Sequence, residues 1–120
     1  MSYPTYDLTF KQYQERSKEF AIYPEAGTGS IQAIMYCALG LCGEAGETAE
    51  KIKKLYRDDR GILTDEKRSL LAKECLDQIW YASQLLTELG MSFEEAALDN
   101  LKKLQSRKDR NVLSGSGDLR

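Results

Sequence analysis

Histidine is absent from the 120-residue chain. That removes the commonest general base at neutral pH and the commonest ligand for zinc, copper and non-haem iron, so any metal must be held by oxygen. Proline is scarce as well. Pro4 and Pro24 are the only two, and nothing after residue 24 is barred from helix by a proline ring. The three cysteines, Cys37, Cys42 and Cys75, are odd in number and lack a CxxC spacing. They are read as reduced packing residues of a cytoplasmic protein rather than as a disulfide framework. No apolar run approaches the eighteen or so residues a membrane span needs. The N-terminal MSYPTYDLTF has no basic segment followed by an apolar one, so neither an anchor nor an export leader is predicted. There is no surplus of charge either: the net value is −2, with no basic field to draw the chain onto nucleic acid or an anionic membrane. Small ligands are the partners left.

With 42% hydrophobic and 30% charged residues, the composition suits one globular domain, here assigned to residues 1–110, with a Gly/Ser-rich tail over 111–120. A chain this short gains from self-association. Hydrophobic spacing predicts an all-α fold, a bundle of four to five helices. Thr9 caps a first helix carrying Phe10, Tyr13, Ser17 and Phe20, which ends before the turn signals at Tyr23-Pro24 and Gly27-Thr28-Gly29. Ser30 opens a longer second helix through Ile34, Ala38, Leu41, Ala45, Ala49, Ile52 and Tyr56, closing between Asp58 and Gly61. Gly40, Gly43 and Gly46 interrupt it. At a cost of about 1 kcal/mol each relative to alanine, they imply close backbone approach, a kink, or a break. A third helix runs from Thr64 or Asp65 to Gly90, and a fourth begins at the capping box Ser92-Phe93-Glu94-Glu95 and fades after Arg107. The tail, through Ser114 to Asp118, reads as flexible or ordered by a ligand.

Two pairs of acids carry the chemistry. At about 100° per residue, Glu74 and Asp77 fall on the same side of the third helix as Leu70, Tyr81 and Leu85, and so are expected to point inward. On the second helix Glu44 lies at the edge of the apolar stripe and Glu47 slightly outside it. Packing the two helices together would gather four carboxylates, which cannot all stay ionised in a low-dielectric site without a cation. All-oxygen ligation favours Mg²⁺, with Mn²⁺ as a possible substitute. The alternative is ordinary surface pairing, of Glu47 with Lys51 and of Glu74 with Gln78 or Lys73. One acid pair would be read that way; two on facing apolar helices favour the metal.

The strings GLCGEAGETAEKIKK, residues 40–54, and KECLDQIWYASQLLTELG, residues 73–90, resemble the MazG-like nucleoside triphosphate pyrophosphohydrolases. That family carries an ExxE motif on one helix and an ExxD motif on the next; the matching positions are Glu44, Glu47, Glu74 and Asp77. The resemblance covers roughly residues 30–110, including NLKKLQSRKDR on the fourth helix. It implies a cytoplasmic bundle of the all-α NTP pyrophosphatase type, working as a dimer or a dimer of dimers. Its reaction would convert an NTP or dNTP to the monophosphate and pyrophosphate. Without histidine, a histidine-assisted water is not available.

On that reading the four acids hold Mg²⁺, and Glu47, furthest from the apolar stripe, orients or deprotonates the water that attacks the α-phosphorus. Tyr81, on the same face as Asp77, is expected to contact the nucleoside. Asn100, Lys103 and Arg107 line one side of the fourth helix and, with Lys54, are candidates for phosphate; the alternative for the fourth helix is a solvated basic face. Lys51, Lys53 and Arg57 are assigned to solubility or i,i+4 pairing, and Trp80 and Tyr36 to core or subunit interface. Rival readings are a related pyrophosphohydrolase acting on another phosphoanhydride such as phosphoribosyl-ATP, and a non-catalytic helical interaction module. Di-iron bundles are disfavoured because they draw histidine from ExxH motifs.

Overall fold

The computed structural model describes residues 8–115, and the expectation for the tail beyond Gly115 lies outside them. Four α-helices follow one another: α1 (Phe10–Ser17), α2 (Ile31–Asp58), α3 (Asp65–Glu88) and α4 (Phe93–Asp109), with a 3₁₀ turn over Lys18–Phe20 after α1. Among the described residues there is no strand, so the fold is all-α. No described helix is long and apolar enough to cross a membrane.

Each helix starts where a side-chain oxygen can take an orphan N–H. Thr9 Oγ1 accepts from Gln12 N–H at 3.1 Å and Gln12 Oε1 returns the bond at 2.9 Å, closing a capping box. Ser30 caps α2 through Ala33 N–H at 3.1 Å, Thr64 caps α3 through Lys67 N–H at 3.2 Å, and Ser92 caps α4 through Glu95 N–H at 3.2 Å. Helix α3 stops as a Schellman motif: Gly90 takes φ +70°, Gly90 N–H donates to Thr87 O at 3.0 Å, and Met91 N–H to Leu86 O at 2.8 Å.

Helix α2 stays continuous over 28 residues, about 42 Å at the usual rise. Its glycines therefore neither break nor end it. Helix α2 against α3 is the principal packing; α1 lies on α3 and α4.

The core is small and partly polar. Among the described residues Tyr23, Ala33 and Cys37 are the buried apolar ones, with Ala21, Ala26, Trp80 and Leu85 packed against them. Beside them Ser17, Ser83 and Gln84 are buried together: Gln84 Nε2 donates to Ser17 Oγ at 2.6 Å, and the two serine hydroxyls are 3.0 Å apart. Here the spacing on α1 misled. That misreading is partial: Ser17 is buried and Tyr13 half-buried as the spacing expects, but Phe10 and Phe20 are half exposed and Gln14, off the stripe, is buried. Gln14 earns that place by bonding the α3–α4 turn, donating to Met91 O at 2.9 Å and accepting from Phe93 N–H at 2.9 Å. The cysteines also split: Cys37 is buried as expected, but Cys42 and Cys75 are exposed.

Candidate metal centre

Because α2 and α3 run antiparallel, residues descending α2 meet residues climbing α3 in the reverse order. Gly40 comes first, under the ring of Tyr81. A Cβ built at residue 40 would lie 2.2 Å from Tyr81 Cε1, so this glycine is what permits the approach. Gly43 and Gly46 have open space around the same position. One turn below Gly40, Glu44 meets the acids of α3. One carboxylate oxygen from each of Glu44, Glu74 and Asp77 falls within 4.8 Å of the other two. Further down, Gln78 Nε2 donates to Thr48 Oγ1 at 2.8 Å, and Thr48 Oγ1 donates to Glu44 O at 3.0 Å, tying the helices beside the acids. At the foot, the Lys51 ammonium pairs with Glu74.

The burial of the four acids is graded. Glu74 is 7% exposed, Glu44 is half-buried, and Asp77 and Glu47 are exposed. Glu74 thus points inward, but Asp77 does not, contrary to the helical-wheel expectation. A step of three residues turns the side chain about 60° away, so Glu74 is buried whereas Asp77 stays exposed, its charge felt by Tyr13 of α1. The tyrosine registers this: burial pushes its pKa up, and the Asp77 charge pushes it further. Glu44 is held above the ordinary carboxylate range by partial burial and then by the charges of Glu47, Asp77 and Glu74. Glu47 therefore adjoins the cluster at its solvent side.

These residues fit a divalent cation. Glu74 Oε2 is buried without a hydrogen-bond partner, while its other oxygen takes an ammonium. An orphaned carboxylate oxygen beside two further carboxylates is costly unless a cation fills the gap. All the donors are oxygens, which suits a hard ion.

The remaining candidates are dispersed. Tyr81 is half-buried between Gly40 and Trp80, whose ring it meets edge-on at 5.0 Å. Burial raises its pKa, and Tyr36 and then Glu44 add to the effect. Lys54 lies 3.7 Å from Glu50, Lys53 2.9 Å from the same residue, and Arg57 2.7 Å from Asp58. Asn100 and Lys103 are exposed on α4, and no described hydrogen bond or ion pair joins them to the four acids. Arg107 is buried near the end of α4, where its carbonyl accepts from Val112 N–H at 2.8 Å. Sequence spacing missed Lys51, because an i,i+4 partner on its own helix, Glu47, stood ready to explain it. Its position seven residues after Glu44 was the available signal, since two turns bring a side chain back to the same face.

Residues 32–112 match the MazG nucleotide pyrophosphohydrolase domain. The chain belongs to the MazG family. The match spans nearly all of α2 and the whole of α3 and α4, so it contains both acid pairs. Over 109 residues, 90% of this chain and 96% of the relative, the sequence is 48% identical to the Gene 37 protein of Mycobacterium phage L5. No solved structure matches. Membership of the MazG family supports nucleotide pyrophosphohydrolase activity, the hydrolysis of a phosphoanhydride, and MazG proteins generally depend on a divalent metal.

Proposed function

We propose that this MazG protein hydrolyses nucleoside triphosphates, ribo or deoxyribo, to the monophosphate and pyrophosphate, with Mg²⁺ as its metal and Mn²⁺ as a substitute. The observation that carries this is the meeting of Glu44, Glu74 and Asp77, with Glu74 Oε2 buried and lacking a donor. A magnesium ion held by those three acids, with Glu47 at the margin, would neutralise triphosphate charge and lower the pKa of water. Glu47, exposed and one turn from Glu44, orients or deprotonates the water aimed at the α-phosphorus. Tyr81 offers its ring to the nucleoside. Lys54, Asn100, Lys103 and Arg107 are the proposed donors to the phosphates, with the exposed Asn100 and Lys103 of α4 acting across an assembly of chains.

The assembly proposed is a homodimer or a dimer of dimers in the cytoplasm. It is supported by the shortage of core: among the described residues three apolar ones are buried, while Leu39 is 69% and Leu101 62% exposed. A second copy of the chain is the partner that would cover such faces.

The test is to incubate the metal-stripped protein with Mg²⁺ and a panel of NTPs and dNTPs, assaying monophosphate and pyrophosphate. Phosphoribosyl-ATP added to the panel separates the related pyrophosphohydrolase, and binding without turnover would point to an interaction module. Glu44→Gln, Glu47→Gln, Glu74→Gln and Asp77→Asn are each expected to lower turnover about 10²-fold or more. Near-normal turnover in all four folded variants would sink the assignment.

A further inference from the structure

Lys51 occupies a position that surface pairing does not explain. It has Glu47 four residues earlier on its own helix, yet its ammonium crosses to α3 and pairs with Glu74, the most buried of the four acids. The hydrogen bond to Glu74, and after it the charges of Glu74, Glu47 and Asp77, hold its pKa above the ordinary lysine value. The same carboxylate has one oxygen on the ammonium and the other buried without a partner. A monovalent side chain therefore supplies half of what a cation at this site would supply.

We propose that Lys51 is a built-in counter-ion that competes with the metal for Glu74 and couples metal binding to triphosphate binding. This rests on the metal-site reading above. In metal-free protein the ammonium partners Glu74 and holds it in position, because a buried carboxylate stripped of its partner is strongly destabilising. A divalent ion entering the cluster meets an ammonium on one of its own ligands and must displace it or bear the repulsion. The stem of Lys51 is half exposed, so the displaced ammonium has room to swing outward. A triphosphate brought in with the metal offers that ammonium a new anionic partner beside the acids, a strong charge-assisted contact. Metal alone is then bound against Lys51, whereas metal with triphosphate is bound with its help. By linkage, each ligand tightens the other.

The experiment is calorimetric titration of Mg²⁺, and separately Mn²⁺, into the metal-stripped full-length protein, with and without a triphosphate whose α,β-bridging oxygen is replaced by a methylene group. The proteins are wild type and Lys51→Met, with Lys51→Gln as a second neutral variant should the first fold poorly. Thermal unfolding of each metal-free protein is recorded alongside. The neutral variants are expected to bind metal alone about tenfold more tightly than wild type, within the usual range of coupling factors. They should bind the analogue more weakly, lose most of the tightening it confers on the metal, and melt at a lower temperature when metal-free. Metal affinity that is unchanged or weakened in the neutral variants overturns the proposal while leaving the metal site standing. A wild-type protein that binds neither ion removes the metal-site reading itself, and the proposal with it.

Discussion

The Glu88 carboxylate is buried at the end of α3, where it accepts from the Tyr23 hydroxyl, from Gly27 N–H at 2.8 Å and from Gly29 N–H at 2.9 Å. Burial pushes its pKa up, but the three donors outweigh burial and leave it below the ordinary value. Because the folded pKa lies under the unfolded one, Glu88 contributes its full stability above the ordinary value of 4.5, and that contribution is lost as pH falls through the folded value. The two glycines it holds have φ of +83° and +69°, so the carboxylate pins the loop that joins α1 to α2 in a left-handed course. Glu88→Gln keeps the shape but loses the charge and faces a donor with a donor. It is expected to cost about 1–3 kcal/mol at neutral pH. Thermal melts at several pH values check this: the gap to wild type should shrink below pH 4.5. Nothing in the sequence marked Glu88, since it stands outside any motif and its donors come from residues 59 or more positions away.

For the elements, legibility followed locality. The caps at Thr9, Ser30, Thr64 and Ser92 and the stop at Gly90 were readable because each uses residues within one turn of the helix end. The glycines of α2 were seen but not resolved, because the reason for Gly40 lies on α3, while Gly43 and Gly46 have open space around them. Gly40→Ala drives a methyl group into the Tyr81 ring and is expected to cost about 1–3 kcal/mol by overpacking. Gly43→Ala, with nothing within 4 Å of the added carbon, is expected instead to gain about 0.5–1 kcal/mol from helix propensity. Denaturant unfolding of the two variants side by side checks the opposite signs. The face of α1 was misread in part for the same reason: hydrophobic spacing named Ser17, which meets the hydroxyl of Ser83, but passed over Gln14, whose partners are the backbone of the turn at Met91–Phe93.

As a whole molecule, one chain is spread wide for its length. Its radius of gyration is 17.2 Å, against about 13–14 Å for a compact domain of this size. The long α2–α3 hairpin leaves apolar residues uncovered on its outer side, including Ile31, Met35 and Leu39. A second open face is the cleft of about 500 Å³ lined by Phe10, Leu76, Ile79 and Leu101 among others. Lysine at both Leu39 and Leu101 is expected to shift the proposed assembly to monomer, read by sedimentation velocity, with helical content retained by circular dichroism. A sedimentation coefficient unchanged from wild type would place the contact elsewhere. Should the donors on α4 act across the assembly, the same double variant also loses turnover.

What the chain's own order of residues decided was local: four helices, their ends, an all-oxygen donor set imposed by the lack of histidine, and two acid pairs at helical spacing. Those depend on neighbours within a turn or two, where backbone geometry is nearly constant. Tertiary structure alone decided which of the acids meet. It brought Glu44 to Glu74 and Asp77, left Glu47 at the rim, turned Asp77 toward solvent, and laid Lys51 across the gap onto Glu74. The physical reason is that a helix's register against its neighbour is set by contacts such as Tyr81 over Gly40, and periodicity within a single helix carries no information about that register.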